Sequence, residues 1–160
     1  MTAETPLPLL ESLLAVLLEQ EEVLGSLLGL AQEEQRALVH SDFPVVERVG
    51  NQMLALAREM DELDVRREAI VSSLGAGETL ADIDAFAGNV GETRFAKVRA
   101  RLLEQADRLR DAQEFNARLI LDATRLQERW FGILAGMGPS TYGPGGRPKI
   151  GGRGIVSRTA

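Results

Sequence analysis

The longest apolar pattern in the chain runs from Arg94 to Met137. Apolar residues recur there in steps of three and four, at Phe95, Val98, Leu102, Leu109, Ala112, Leu119, Ala123, Leu126, Trp130, Ile133 and Met137. Only Gln105 and Asn116 interrupt this seam. Such sustained spacing predicts one helix that packs along its length against other helices. At 1.5 Å per residue that helix would be roughly 65 Å long, so we expect an elongated molecule.

Two further helices are predicted before this one. Leucines recur in heptad spacing over residues 9–39, after a proline-containing lead that is expected to end before the helix begins. Asp42 is a favourable N-cap residue and Pro44 follows it in a first turn, which predicts a second helix over residues 43–74. The loop between the two helices is short, so they are expected to form an antiparallel hairpin.

A glycine-containing segment is predicted to end the second helix. Thr79 and Asp82 have capping-box spacing, which predicts a short helix over residues 80–87, and Gly88 to Gly91 are expected to turn the chain into the long helix of residues 94–137. The predicted fold is all-α. It is an antiparallel three-helix bundle or coiled coil with a short extra helix between the second and third long helices.

The composition changes after Met137. Of the 23 residues in 138–160, seven are glycine and three are proline, and no apolar pattern continues. This segment is therefore predicted to be a disordered, flexible tail that follows a helical domain of residues 1–137. The domain carries 14 basic and 24 acidic residues, whereas the tail carries four basic residues and no acidic one. The acidic domain disfavours nucleic acid as the main partner.

Residues for catalysis or metal binding are scarce. The chain has no cysteine, and its single histidine, His40, lies in a predicted turn. The acidic pairs Glu21-Glu22 and Glu33-Glu34 occupy adjacent helical positions and therefore point in different directions. We expect no enzyme activity, no metal site and no cofactor.

The sequence also lacks the pattern of a signal peptide and has no charge-free apolar run long enough to span a membrane. A cytoplasmic protein without stable membrane insertion is expected.

The last third of the long helix carries more apolar surface than one seam requires. Ile120, Leu121, Phe131 and Leu134 lie beside the seam. So broad a surface either meets two helices of the same chain or stays partly open for a helix of another chain. Asn116 either fixes the register between helices of the chain or contacts an inserted helix. Tyr142, the only tyrosine, is either a docking residue or an incidental part of a linker.

Several of these features together resemble the FlgN family of flagellar export chaperones. The resemblance rests on the leucine-rich first helix, the turn Ser41-Asp42-Phe43, the segment Asn116-Ala117-Arg118 within the long helix, and the tail segment Thr141-Tyr142-Gly143-Pro144-Gly145-Gly146.

The resemblance implies a cytosolic, non-enzymatic chaperone. It would bind C-terminal helical segments of the hook-associated proteins FlgK and FlgL, prevent their premature assembly and deliver them to the export gate protein FlhA. By position, the implied client-binding residues are Asn116, Leu119, Ile120, Ala123, Leu126, Trp130 and Phe131. Tyr142 would be the residue that docks on the export gate. The alternative function is a structural coiled-coil scaffold or self-associating helical adaptor, and the oligomeric state of the free chain stays open.

Overall fold

The computed structural model describes residues 6–77 and 79–136, whose regular structure is entirely helical. The elements are α1 (Pro6–Val39), α2 (Phe43–Leu74), α3 (Leu80–Asn89) and α4 (Arg94–Gly136). The prediction of an all-α helical bundle is confirmed. Residues up to Leu121 form one compact unit and those from Asp122 form a second. Met137 and the predicted tail, residues 138–160, lie outside the described residues.

Two predicted helix boundaries were wrong. Helix α1 begins at Pro6 instead of residue 9, so Pro6 and Pro8 lie in its first turn. Proline is tolerated there because the first N–H groups of a helix have no acceptor within it. Helix α3 continues through Gly88 to Asn89. A helical glycine costs only about 1 kcal/mol relative to alanine, and the buried residues Ile83 and Ala87 hold this helix against the core.

The predicted helix caps are confirmed. The Asp42 side chain accepts a hydrogen bond from the Val45 N–H at 3.3 Å. At the start of α3, the Asp82 N–H donates to Thr79 Oγ1 at 3.1 Å, and the Thr79 N–H donates to Asp82 Oδ2 at 3.1 Å. These two reciprocal bonds satisfy donors that the helix itself leaves unpaired.

Helices α1 and α2 pack antiparallel. Arg66 Nη1 lies 2.9 Å from Glu19 Oε2, and Arg48 pairs with Glu33, so residue numbers rise along one helix as they fall along the other. Between these surface pairs, the side chain of Gln20 is buried and its Nε2 donates to Asp64 Oδ1 at 2.8 Å.

Helix α4 runs parallel to α1. Arg94 pairs with Glu11 and Arg101 pairs with Glu21, with 2.6 Å between Arg101 Nε and Glu21 Oε1. Residue numbers therefore rise together along the two helices. Helix α2 ends where α1 begins, as shown by the packing of Val71 with Leu10 and Leu13, and the short connection through α3 lets α4 start from the same end.

The core consists of two clusters that share α1. The first combines residues of all four helices, namely Leu10, Leu13, Leu14, Leu17, Val71, Ile83, Ala87, Phe95, Val98 and Leu102. The second combines Val16, Val23, Leu27, Ala31, Leu63 and Leu109. Helix α1 is thus buried on the sides that face α2 and α4, so its buried surface is broader than one seam.

Arg94 also creates a pH-sensitive contact at the start of α4. Its Nε donates to Glu92 Oε1 at 2.9 Å, and its backbone N–H donates to the same oxygen at 2.9 Å. The side-chain bond is the larger cause, and together the bonds lower the pKa of the Glu92 carboxyl from 4.5 to about 2. Since the folded pKa is the lower one, this contribution to stability is complete above pH 4.5 and is lost as the pH falls towards 2.

We therefore expect the free energy of unfolding of a Glu92→Gln variant to depend on pH differently from that of the wild type at acidic pH. The stability advantage of the wild type should be constant above pH 4.5 and should shrink between pH 4.5 and 2. Urea denaturation of both proteins at pH 7, 4 and 3 measures this difference. A difference that does not change with pH would contradict the assignment.

Candidate partner-binding surface on helix α4

The burial of α4 changes along its length. Its buried residues are Phe95, Val98, Leu102, Leu109 and Asn116. In contrast, every described residue from Asp122 to Gly136 is exposed. The apolar pattern nevertheless continues there, and the exposed fractions are 54% for Leu126, 57% for Trp130 and 61% for Phe131. Large apolar side chains are thus presented to solvent along this part of the helix.

We call the apolar residues of this pattern the apolar stripe. It comprises Leu119, Ile120, Ala123, Leu126, Trp130, Phe131, Ile133 and Leu134. At 3.6 residues per turn, their directions span about 160° around the helix axis. The stripe is wider than the face of roughly 100° that a helix typically buries against a core. Of the two alternatives for this surface, the exposed fractions of Leu126, Trp130 and Phe131 favour the open one.

The structure separates the seven predicted client-binding residues into two groups. Six lie on the apolar stripe, where Leu119 is half-buried and Ile120, Ala123, Leu126, Trp130 and Phe131 are exposed. Asn116 is only 2% exposed. Its Nδ2 donates to the carbonyl oxygen of Ala31 at 2.8 Å and to Glu34 Oε2 at 2.9 Å. This amide is engaged inside the unit, as the register alternative requires. Tyr142 lies outside the described residues.

Two stripe residues are additions to the predicted site. Ile133 is 48% exposed and Leu134 is 58% exposed. Both belong to the apolar pattern of α4, and Ile133 is a member of the seam. A step of seven residues from Leu126 and a step of four from Trp130 would have included them.

Charged residues lie outside the stripe. Arg118 and Arg125 are mostly exposed, and their nearest carboxylate oxygens, on Glu114 and Asp122, are 4.0 Å and 3.9 Å away. Such exposed pairs contribute about 0 to 1 kcal/mol and leave the arginines able to meet a partner. The stripe itself has no titratable side chain, so its chemistry is the burial of apolar area.

Other kinds of site were searched for in the described residues. No group of three or more histidine, cysteine, aspartate or glutamate residues has the arrangement to hold a metal ion in residues 6–77 and 79–136. Within the same ranges, no helix combines the length and the apolar character that crossing a membrane requires.

Comparison with known proteins identifies the family. No curated protein and no solved structure matches the chain. The profile of the FlgN family, described as FlgN protein, matches residues 1–150 and thus covers all four helices. The resemblance inferred from the sequence is confirmed, and the chain belongs to the FlgN family of flagellar export chaperones.

Proposed function

We propose that this chain is a cytoplasmic, non-enzymatic chaperone for hook-associated proteins of the FlgK and FlgL type. It binds their C-terminal helical segments, prevents premature assembly and delivers them to the export gate protein FlhA. The observation that carries the proposal is the exposed apolar stripe of α4 in a chain of the FlgN family. The architecture we propose for the working domain is an antiparallel three-helix bundle of α1, α2 and α4.

The stripe fits an amphipathic helix as its client. An amphipathic helix places apolar residues at positions i, i+3, i+4 and i+7, and such a row can pack into a facing apolar surface. We assign the client contacts to Leu119, Ile120, Ala123, Leu126, Trp130 and Phe131. A client helix that polymerises through the same apolar face is blocked from doing so while it is bound.

The energetics of this contact suit a chaperone. Burial of about 600 Å² of apolar area at about 25 cal/mol per Å² gives a gross gain of about 15 kcal/mol. Loss of translational and rotational freedom and ordering of side chains remove most of this gain. The result is an affinity in the micromolar to nanomolar range, which holds a client and still allows release.

Co-expression with C-terminal segments of hook-associated proteins tests the proposal. We expect a 1:1 complex that survives size-exclusion chromatography. The alternative, a structural coiled-coil scaffold or self-associating adaptor, is favoured by the same exposed stripe, because a second copy could cover it. A scaffold would elute as an oligomer of the chain alone and would form no complex with a client.

For export-gate docking, we propose Tyr142. A Tyr142→Ala variant should bind the client with unchanged affinity and should bind the cytoplasmic part of FlhA at least about fivefold more weakly, because an aromatic side chain that anchors a contact supplies about 1 kcal/mol or more. Isothermal titration of both partners measures the two effects separately. Unchanged affinity for FlhA would exclude Tyr142 from gate docking.

A further inference from the structure

We propose that Asn116 is a positioning residue that fixes the axial register of α4 on α1. By doing so it determines which part of α4 the bundle covers and where the apolar stripe begins. This inference rests on the proposed function of the stripe, and it assigns to Asn116 an indirect role in place of direct contact with the client.

The Asn116 side chain is held entirely by α1. Its Nδ2 donates at 2.8 Å to the carbonyl oxygen of Ala31, a residue that is itself fully buried. The same nitrogen donates at 2.9 Å to Glu34 Oε2, one turn further along α1. A hydrogen bond to a carboxylate is stronger than one between neutral groups, so Glu34 is the partner whose loss would cost most.

Only the observed register offers Asn116 a carboxylate. One turn away from Glu34 in either direction, α1 carries Leu30 and Leu38, and one heptad earlier it carries Leu27. One heptad later lies Ser41, which is beyond the end of α1. A slipped α4 would therefore lose the hydrogen bond from the Asn116 amide to a carboxylate, and loss of a partner by a buried polar group is disfavoured.

Asn116 does not maximise stability at this position. Its Oδ1 is buried without a hydrogen-bond partner. A leucine at the same place would bury more apolar area and leave no polar atom unsatisfied. The best-attested role of a buried asparagine in a helical seam is to favour one alignment of the helices at a cost in stability.

The register has a direct consequence for the stripe. Leu119, the first stripe residue, follows Asn116 by three positions and is half-buried, whereas Leu121 is 55% exposed. A slip of one heptad moves α4 by about 10 Å along α1, since each residue rises 1.5 Å. Such a slip would cover stripe residues or expose core residues, and either change alters the surface offered to a client.

Engineered cysteines can report the register, because the natural chain has no cysteine. A Cβ placed on Gly25 of α1 would lie 3.8 Å from Gln105 Nε2 of α4, so these two positions face each other. The pair Gly25→Cys and Gln105→Cys, treated with a short bismaleimide, reports the observed register. Leu18→Cys or Gln32→Cys, each paired with Gln105→Cys, reports a slip of one heptad in either direction.

Asn116→Leu in each cysteine background is the decisive variant. We expect the melting temperature to be unchanged or higher. At least half of the cross-linking of the Gly25→Cys pair should be lost, and cross-linking should appear in one of the pairs that report a slip. Client affinity should be roughly tenfold lower, about 1.4 kcal/mol. The client probe is a synthetic C-terminal helix of a hook-associated protein. Glu34→Leu, which removes the carboxylate partner, should shift the cross-link in the same way. It replaces Asn116→Leu as the test variant if Asn116→Leu fails to fold.

The matched control is Gln113→Leu, the same polar-to-apolar change at an exposed position of α4. It should change neither cross-linking nor affinity. An Asn116→Leu variant that keeps the Gly25 cross-link overturns the proposal, and a lowered client affinity in that case would make Asn116 a direct contact. If the wild type itself binds no client helix, the proposed function fails, and the cross-links alone decide whether Asn116 sets the register.

Discussion

A double variant in which glutamate replaces both Trp130 and Phe131 is expected to bind the client at least about 100-fold more weakly, or by about 2.7 kcal/mol. The reason is that two large aromatic side chains of the stripe would be replaced by charges that the complex must desolvate. Both side chains are more than half exposed in the free chain, so helix content and melting temperature should remain close to wild type. Isothermal titration with the client helix and circular dichroism measure the two quantities.

Leu103 provides a matched control on the same helix. It is 51% exposed, and it is not a residue of the stripe. Leu103→Glu introduces one glutamate, compared with two in the double variant, at a residue outside the stripe. We expect client affinity to stay within about twofold of wild type, the scale of ordinary surface substitutions. Equal losses of affinity in both variants would show that charge on α4, and not the stripe, controls binding.

Leu13→Ala is expected to have the largest effect on folding, a loss of about 2 to 5 kcal/mol in the free energy of unfolding. Leu13 is fully buried in the cluster that joins all four helices. Removal of its side chain leaves a cavity that residues of α1, α3 and α4 can fill only by moving together.

The control for this variant is Leu18→Ala on the same helix. Leu18 is 41% exposed, so its truncation should cost less than about 1 kcal/mol. Urea denaturation of the three proteins gives the comparison. If Leu13→Ala and Leu18→Ala destabilise the chain equally, the burial of Leu13 and the exposure of Leu18 are not reflected in stability and the described core is incorrect.

Heptad spacing predicted the helices well because each helix buries a face against a neighbour. The bounds of α2 agree with the prediction because Asp42 and Gly75 cap both of its ends. The errors occurred where local signals are permissive. Proline is acceptable in the first turn of α1, and packing of Ile83 and Ala87 carries α3 through a glycine. The sequence pattern contains no information on these tertiary contacts.

The partner-binding surface could be predicted in composition but not in exposure. The spacing of Leu126, Trp130 and Phe131 is the same whether a neighbouring helix covers them or solvent does. Their exposure depends on contacts between residues that are distant in the sequence, and the spacing along one helix contains no information on such contacts. Asn116 illustrates the difficulty, since its polar character suggested two roles and only its bonds to α1 distinguish them.

Hydrogen–deuterium exchange of the free chain and of its complex with a C-terminal helix of a hook-associated protein tests the central claim most directly. The claim is that the client covers the exposed part of α4. We predict that binding slows exchange in peptides covering residues 119–136 and leaves α2 unchanged, because the client helix orders the segment on which it packs. Slowed exchange confined to α1 and α2, with residues 119–136 exchanging as in the free chain, would contradict the account.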